Sequence, residues 1–262
     1  MAATQSEKAD RFRALHQAKS IFVMPNPWDI GSTRALSGMG YEALATSSGA
    51  SAAAIGRRDG QLTRDDALAH ARAIAGATEL PVAGDLENGF GDAPAYVAET
   101  IRLAAGAGLV GGSIEDFSGE QGKKLYDIGF ATERIAAAVE AARALPFAFT
   151  LTARAENYLR GNPSLDDTIR RLQAFEKAGA DVLFAPGLPD LESVRAVCDS
   201  LSKPVNFMIG MKGSSFSVAQ LAEAGVRRVS LGGALYRAAM VGFMNAAREI
   251  RQDGTFGFVE RF

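Results

Sequence analysis

Residues 81–116 read PVAGDLENGFGDAPAYVAETIRLAAGAGLVGGSIED. An apolar run at 82–86 takes in Asp85 and stops at Glu87 in a glycine-rich turn. An amphipathic stretch at 94–106 follows and is closed by Ala107-Gly108-Leu109, since glycine tolerates the left-handed cap that stops a helix. A second apolar run, 111–115, then ends on Glu115-Asp116. This is a strand, a crossover helix and a parallel strand, with carboxylates where each strand stops. Acids gathered at neighbouring strand ends repel unless a cation sits among them. A purely oxygen donor set favours a hard ion, Mg²⁺ before Mn²⁺.

The same unit recurs along the whole chain. Strand-like runs fall at 21–24, 43–47, 82–86, 111–115, 148–153, 182–185, 205–209 and 228–231. Amphipathic stretches fall between them at 29–39, 63–77, 94–106, 132–144, 165–178, 190–200, 217–224 and 234–251. Gly40, Gly108, Gly179 and Gly225 each punctuate a helix end, and Pro81, Pro146 and Pro204 precede strands. Thr63, Thr132 and Ser164 supply helix starts, with acids in the first turn. The strands are nearly continuous apolar runs, as expected when both faces are covered. Strict alternation of eight strands with eight helices predicts an α/β fold of the closed (β/α)8 barrel type. No GxGxxG follows the first strand, which disfavours an open dinucleotide-binding sheet.

At 262 residues, 47% hydrophobic and 22% charged, one barrel domain spans 1–262, with 234–262 as its eighth helix and C-terminal tail. A formal charge of −2 leaves no electrostatic footprint for nucleic acid or for an anionic membrane. The polar N-terminal stretch lacks the apolar centre of a signal peptide, and no run is long enough to span a bilayer. The single cysteine, Cys198, excludes an internal disulfide and fits a reducing cytoplasm.

The barrel's chemistry is expected at the C-terminal strand ends. In order these present Asn26, Trp28 and Asp29; Ser47, Ser48, Gly49 and Ala50, then Arg57, Arg58 and Asp59; Asp85 and Glu87; Glu115 and Asp116; Arg154 and Glu156; Pro186; and Asn206. Asp85, Glu87 and Glu115 form the candidate cation site, the alternative being helix caps or loop ion pairs. Ser48-Gly49-Ala50 reads as an oxyanion cradle of backbone N–H groups or as a plain small-residue turn. Arg154 reads as a bidentate clamp on a substrate carboxylate or as the partner of Glu115 or Glu156. Gly232-Gly233 opens the eighth helix, where barrels often bind phosphate. His16 and His70 read as surface or packing residues, and Cys198 as buried filler.

The order Trp28-Asp29, Ser47-Ser48-Gly49, Gly56-Arg57-Arg58-Asp59-Gly60, Asp85-x-Glu87-x-Gly89-x-Gly91, Ile114-Glu115-Asp116 and Thr152-Ala153-Arg154 resembles the isocitrate lyase/phosphoenolpyruvate mutase superfamily. The resemblance runs from about residue 25 to 233. It implies Mg²⁺ held by Asp85, Glu87 and Glu115, and an oxo acid carboxylate or oxyanion at Ser48, Gly49 and Ala50. It also assigns Asp59, Arg154 and Asn206 to the site. It implies a homo-oligomer, usually a tetramer, that exchanges the eighth helix between subunits. Two departures stand out. The loop after strand 4, residues 117–127, reads FSGEQGKKLYD, without the Lys-Lys-Cys-Gly-His segment whose cysteine is the lyases' general acid. Strand 6 ends on Ala185-Pro186-Gly187 where the lyases carry a glutamate. Of the gating-loop lysine found in phosphonopyruvate enzymes, Lys123 or Lys124 is the candidate, with no asparagine after it.

The expected activity is a Mg²⁺-dependent lyase acting on a small 2-oxo or dicarboxylic acid through a stabilised enolate, with cleavage of a C–C bond. Asp59, Glu115, Arg154 and Lys123 are its candidate catalytic residues, and Trp28, Ser47, Ser48, Gly49, Ala50, Asp85, Arg154 and Asn206 its candidate substrate contacts. The alternatives are a mutase or hydrolase acting on a C–P bond, and a non-catalytic binder of 2-oxo acids.

Overall fold

The computed structural model describes residues 3–119, 125–210 and 215–261. Among them are eight strands, β1 (Phe22–Met24), β2 (Leu44–Ala45), β3 (Val82–Asp85), β4 (Gly111–Glu115), β5 (Thr150–Arg154), β6 (Val182–Phe184), β7 (Val205–Met208) and β8 (Arg228–Ser230). Their hydrogen-bonded order is β1-β8-β7-β6-β5-β4-β3-β2, and every pair is parallel. The two ends of that order meet just past β1, where the Ala45 N–H donates to the Pro25 carbonyl at 3.1 Å. The architecture is therefore the expected (β/α)8 barrel, nearly closed, with one thin seam between β1 and β2.

The crossover helices are α2 (Ile30–Gly38), α4 (Arg64–Ala75), α5 (Pro94–Gly106), α6 (Ile128–Arg143), α7 (Leu165–Lys177), α8 (Leu191–Asp199) and α9 (Val218–Glu223), and α10 (Ala234–Asp253) follows β8. Gly40, Gly108, Gly179 and Gly225 all take left-handed φ, 86°, 94°, 103° and 95°, as their place at helix ends requires. Thr63 and Ser164 cap α4 and α7 as expected. Thr132 does not start α6. Asp127 does so five residues earlier, accepting from the Gly129 N–H at 2.8 Å, while the Thr132 hydroxyl turns inward to the Ile128 carbonyl. β5 also begins two residues later than expected, because a tight turn from Phe149 N–H to the Phe147 carbonyl occupies the chain before it.

Two helices were not expected. α1 (Gln5–Gln17) starts on a Thr4–Glu7 capping box and buries only Ala9, Phe12 and His16. It stops the N-terminal mouth of the barrel. Gln5 donates to the Leu109 carbonyl ahead of β4, Lys8 and Arg11 to the carbonyls of Thr78 and Glu79 ahead of β3, and the Phe12 ring packs on Gly111. α3 (Ser48–Ala54) follows β2 directly and is built from serine, glycine and alanine. Between the helices and the sheet, Ile101, Leu109, Ile114, Ile135, Leu151, Leu172 and Phe175 are fully or almost fully buried in one apolar cluster. That cluster holds the strand ends in fixed register.

Candidate active site

Register sets the first part of the site. Glu115 at the end of β4 lies opposite Arg154 at the end of β5, and Asp85 ends β3 beside Ser113. Arg154 gathers the acids. Its Nη1 lies 3.8 Å from Asp85 Oδ1 and 3.5 Å from Glu115 Oε2, and its Nε donates to Glu156 Oε1. Burial alone would lower the Arg154 pKa, but the Glu156, Glu115 and Asp85 carboxylates hold it above the ordinary arginine value. Arg160 shares the load, 2.9 Å from Glu156 and 3.6 Å from Glu115. Glu115 still has its pKa raised well above the usual carboxylate range by burial, with Glu156 and Asp85 adding to the effect and the two arginines opposing it. Asp116 points away from the mouth. It accepts from the Glu156 N–H and pairs with Arg171 at 3.1 Å.

Asp85 is anchored to α3. Its Oδ2 accepts from both the Ser48 N–H, at 3.0 Å, and the Ser48 hydroxyl, at 2.9 Å. Ser47 caps that helix and accepts from the Ala50 N–H. The segment read as an open cradle is thus the first turn of a helix, with the Ser48 and Ala50 amides already engaged. Among the described residues, only the Gly49 N–H of the three has no acceptor. Asp59 stands over this turn, its carboxylate within 3.4–3.6 Å of where a β-carbon on Gly49 would lie.

Glu87 is the odd member of the cluster. Its φ is +48°, a left-handed conformation that a glutamate adopts only under constraint. The constraint is visible: the Glu115 N–H donates to the Glu87 carbonyl at 2.9 Å. Glu87 Oε1 is buried and has no hydrogen-bond partner. Burial, then the Asp85 and Asp59 charges, push its pKa up to about 8. Among the described residues no three carboxylate, histidine or cysteine side chains stand as a ready coordination shell, since Arg154 draws the acids toward itself. The donor set nevertheless fits a hard cation. Asp85, Glu87 and Glu115 supply oxygens only, two of them are held with raised pKa values, and one oxygen is orphaned.

A cavity of about 420 Å³ opens beside the cluster. Ser47, Ser48, Gly49, Ala50, Asp59, Asp85, Arg154 and Asn206 line it, together with Ser230, the Gly232-Gly233 turn and Tyr236. Glu87 and Glu115 do not reach its wall and meet it through Asp85 and Arg154. Trp28 lies outside the wall, its ring edge-on to Tyr236 at 5.7 Å. Lys123 falls outside the described residues.

The floor of the cavity was not anticipated. Arg228, 3% exposed at the start of β8, crosses the lumen. It donates to Asn206 Oδ1 at 2.8 Å, to His16 Nε2 at 3.1 Å and to Thr152 Oγ1 at 3.1 Å. His16, read as a surface or packing residue, is a buried packing member of this layer, and its Nδ1 bonds the Phe12 carbonyl at 2.8 Å. The sequence signal was an arginine inside an otherwise apolar strand. The pairing of Arg154 with Glu115 and Glu156 is the alternative the sequence offered, whereas Arg160, six residues past β5, was not anticipated.

Comparison with known proteins places this geometry. The phosphoenolpyruvate phosphomutase family model matches residues 12–251. A crystal structure of a candidate lyase/mutase from Burkholderia cenocepacia J2315 is 54% identical, with a TM-score of 0.96, and the match covers 98% of this chain and 92% of that one. The 2-methylisocitrate lyase of Escherichia coli K12 is 32% identical over 231 residues, 82% of this chain and 75% of that protein. The crystal structure of 2,3-dimethylmalate lyase, a member of the PEP mutase/isocitrate lyase superfamily, is 28% identical with a TM-score of 0.87, covering 95% of this chain and 89% of that one.

Proposed function

The chain belongs to the phosphoenolpyruvate phosphomutase family, within the isocitrate lyase/phosphoenolpyruvate mutase superfamily, and we propose that it is a metal-dependent lyase-type enzyme that cleaves a C–C bond in a small 2-oxo or dicarboxylic acid. The observation that carries this reading is the orphaned, buried Oε1 of Glu87 among the Asp85 and Glu115 carboxylates at adjoining strand ends. Relatives named for 2-methylisocitrate and 2,3-dimethylmalate support the small-acid class.

Asp85, Glu87 and Glu115 would hold Mg²⁺, with Mn²⁺ the second fit. When bound, the ion would polarise a substrate's carboxylate and carbonyl oxygens and lower the energy of the enolate left by cleavage. The chain's own residues supply the rest. Arg154 is pre-set by three carboxylates, so its remaining N–H groups can pin a substrate carboxylate without reorganisation. The Gly49 N–H adds an unspent donor at the head of α3. Asp59, on the cavity wall over Gly49, would take up or return a proton at the bond that breaks. Asn206 and Ser230 bound the far side of the cavity.

The test is a Mg²⁺-supplemented panel of oxaloacetate, alkylmalates and phosphonopyruvate, read as 2-oxo acid released. Asp85→Ala is expected to cost at least about 100-fold in turnover. Unchanged turnover in that variant would sink the metal reading. A preference for phosphonopyruvate would move the assignment to C–P chemistry, which the phosphomutase family model keeps open. Tight binding with no turnover would mark a non-catalytic binder.

A further inference from the structure

Arg228 is a cation without an anion. Its three acceptors, Asn206 Oδ1, His16 Nε2 and Thr152 Oγ1, are all neutral. Among the described residues no carboxylate lies within ion-pair distance of it. Burial draws its pKa down to about 9, with no neighbouring charge contributing, and it remains protonated at neutral pH. A buried charge that is hydrogen-bonded but uncompensated is costly, and apolar residues of similar volume commonly replace buried ions without loss of stability. By contrast, the charge of Arg154 at the mouth is balanced by Asp85, Glu115 and Glu156, although N–H groups remain on it. Arg237 also lines the cavity, but it is exposed on α10 and donates to the Gly210 carbonyl at 2.8 Å; the buried, unbalanced positive charge is the one at the floor.

The hydrogen-bond chain leading from that charge has only one direction. A guanidinium can only donate. Arg228 Nε–H therefore fixes Asn206 Oδ1 as the acceptor, and the Asn206 amide must present Nδ2, which donates to Ser230 Oγ at 3.0 Å. With its oxygen accepting from Asn206, the Ser230 hydroxyl is left to donate its own proton. Ser230 lines the cavity. On the other side His16 receives from Arg228 at Nε2, which leaves Nδ1–H to donate to the Phe12 carbonyl. The branch through β7 and β8, from Arg228 by Asn206 to Ser230, is thus oriented to present a donor to the cavity, while the His16 branch ends within α1.

We propose that Arg228 is a specificity-determining positioning residue, which orients Asn206 and Ser230 as donors and makes the cavity floor select substrates bearing a second negative charge. This rests on the small-acid reading above, and it narrows that class to acids with a distal carboxylate. The distal group would meet the Ser230 hydroxyl and the unbalanced field behind it, while the reacting end sits at the mouth.

Malate and lactate differ only in the distal carboxylate, so calorimetric binding of each to the full chain with Mg²⁺ present isolates the floor. The wild-type protein is expected to favour malate by about ten-fold or more, the usual worth of a hydrogen bond to a charged group. Arg228→Met is expected to bring malate to within about three-fold of lactate while leaving lactate unchanged, and Arg228→Lys to keep most of the preference. Should Arg228→Met fail to fold, Asn206→Asp serves instead. It supplies the missing anion inside the chain, so it is expected to hold or raise the melting temperature and yet abolish the malate preference. A residue with a purely structural role would not separate those two readouts. Equal binding of the two acids by the wild-type protein would overturn the proposal. So would equal weakening of both acids in Arg228→Met, or a malate preference that survives in it or in Asn206→Asp. Absence of turnover across the substrate panel would overturn the lyase reading alone, because this comparison needs binding and not cleavage.

Discussion

His16 is held neutral by what surrounds it. Burial first, and then the Arg228 charge, take its pKa from the ordinary 6.5 down to about 3. The unfolded chain binds a proton there below about pH 6.5 and the folded chain does not. Its contribution to stability is therefore complete above that pH and is lost as pH falls toward about 3, at about 1.4 kcal/mol per pH unit. His16→Gln keeps an acceptor for Arg228 and removes the titration. Urea unfolding is expected to show the wild-type protein losing roughly 2 kcal/mol more than the variant between about pH 6.5 and about pH 5. Equal acid slopes would show that the layer does not constrain His16. The difference between this residue and Asp85 is what made one legible in the sequence and not the other. Asp85, Glu115 and Arg154 end apolar runs, so their place in a barrel follows once the strands are found. His16 and Arg228 meet across 212 positions of sequence, and nothing local in either segment announces the other. Glu87 was read as a ligand candidate, but its left-handed backbone depends on the bond from Glu115 and is set by tertiary context.

Elements were legible in proportion to how much they bury. The strands of the opening unit and α5 fall where the apolar runs placed them, because each is covered by a large cluster. α1 escaped notice because it buries so few side chains, and α3 because a serine-glycine-alanine run carries no periodicity. Yet α1 is fitted closely. A β-carbon on Gly111 would lie 2.8 Å from the Phe12 ring and 2.8 Å from the Thr150 carbonyl, which the β4–β5 ladder holds in place. Gly111→Ala is expected to destabilise the protein by about 2 kcal/mol or more through overpacking. Gly106→Ala, in the exposed last turn of α5 with nothing within 4 Å, is expected to stabilise it by about 0.5–1 kcal/mol. Thermal denaturation of the two variants checks both signs; a Gly111→Ala protein as stable as wild type would mean that α1 is not seated on β4.

At the scale of the molecule, α10 stands apart. It runs for 20 residues and buries none of them, and Val241, Phe243, Met244 and Ile250 are exposed along it. No helix among the described residues is long and apolar enough to cross a membrane. We propose that a second copy of the chain covers this face, with α10 exchanged between subunits. Light scattering is expected to give a mass at least twice the 27.5 kDa of one chain, and Phe243→Glu to reduce it; a wild-type monomer would refute the exchange. The barrel itself was readable from alternation alone, whereas the seam at β1–β2, the plug at its base and the uncovered α10 depend on contacts between distant segments. The acidic mouth carries the central claim, that strand-end carboxylates hold a hard cation against the enolate-forming end of a small acid. Oxalate, a planar mimic of the pyruvate enolate, probes it by calorimetry. Binding is expected to require Mg²⁺, to vanish in EDTA, and to be lost in Asp85→Ala. Oxalate affinity that is indifferent to Mg²⁺, or that survives Asp85→Ala, would contradict it.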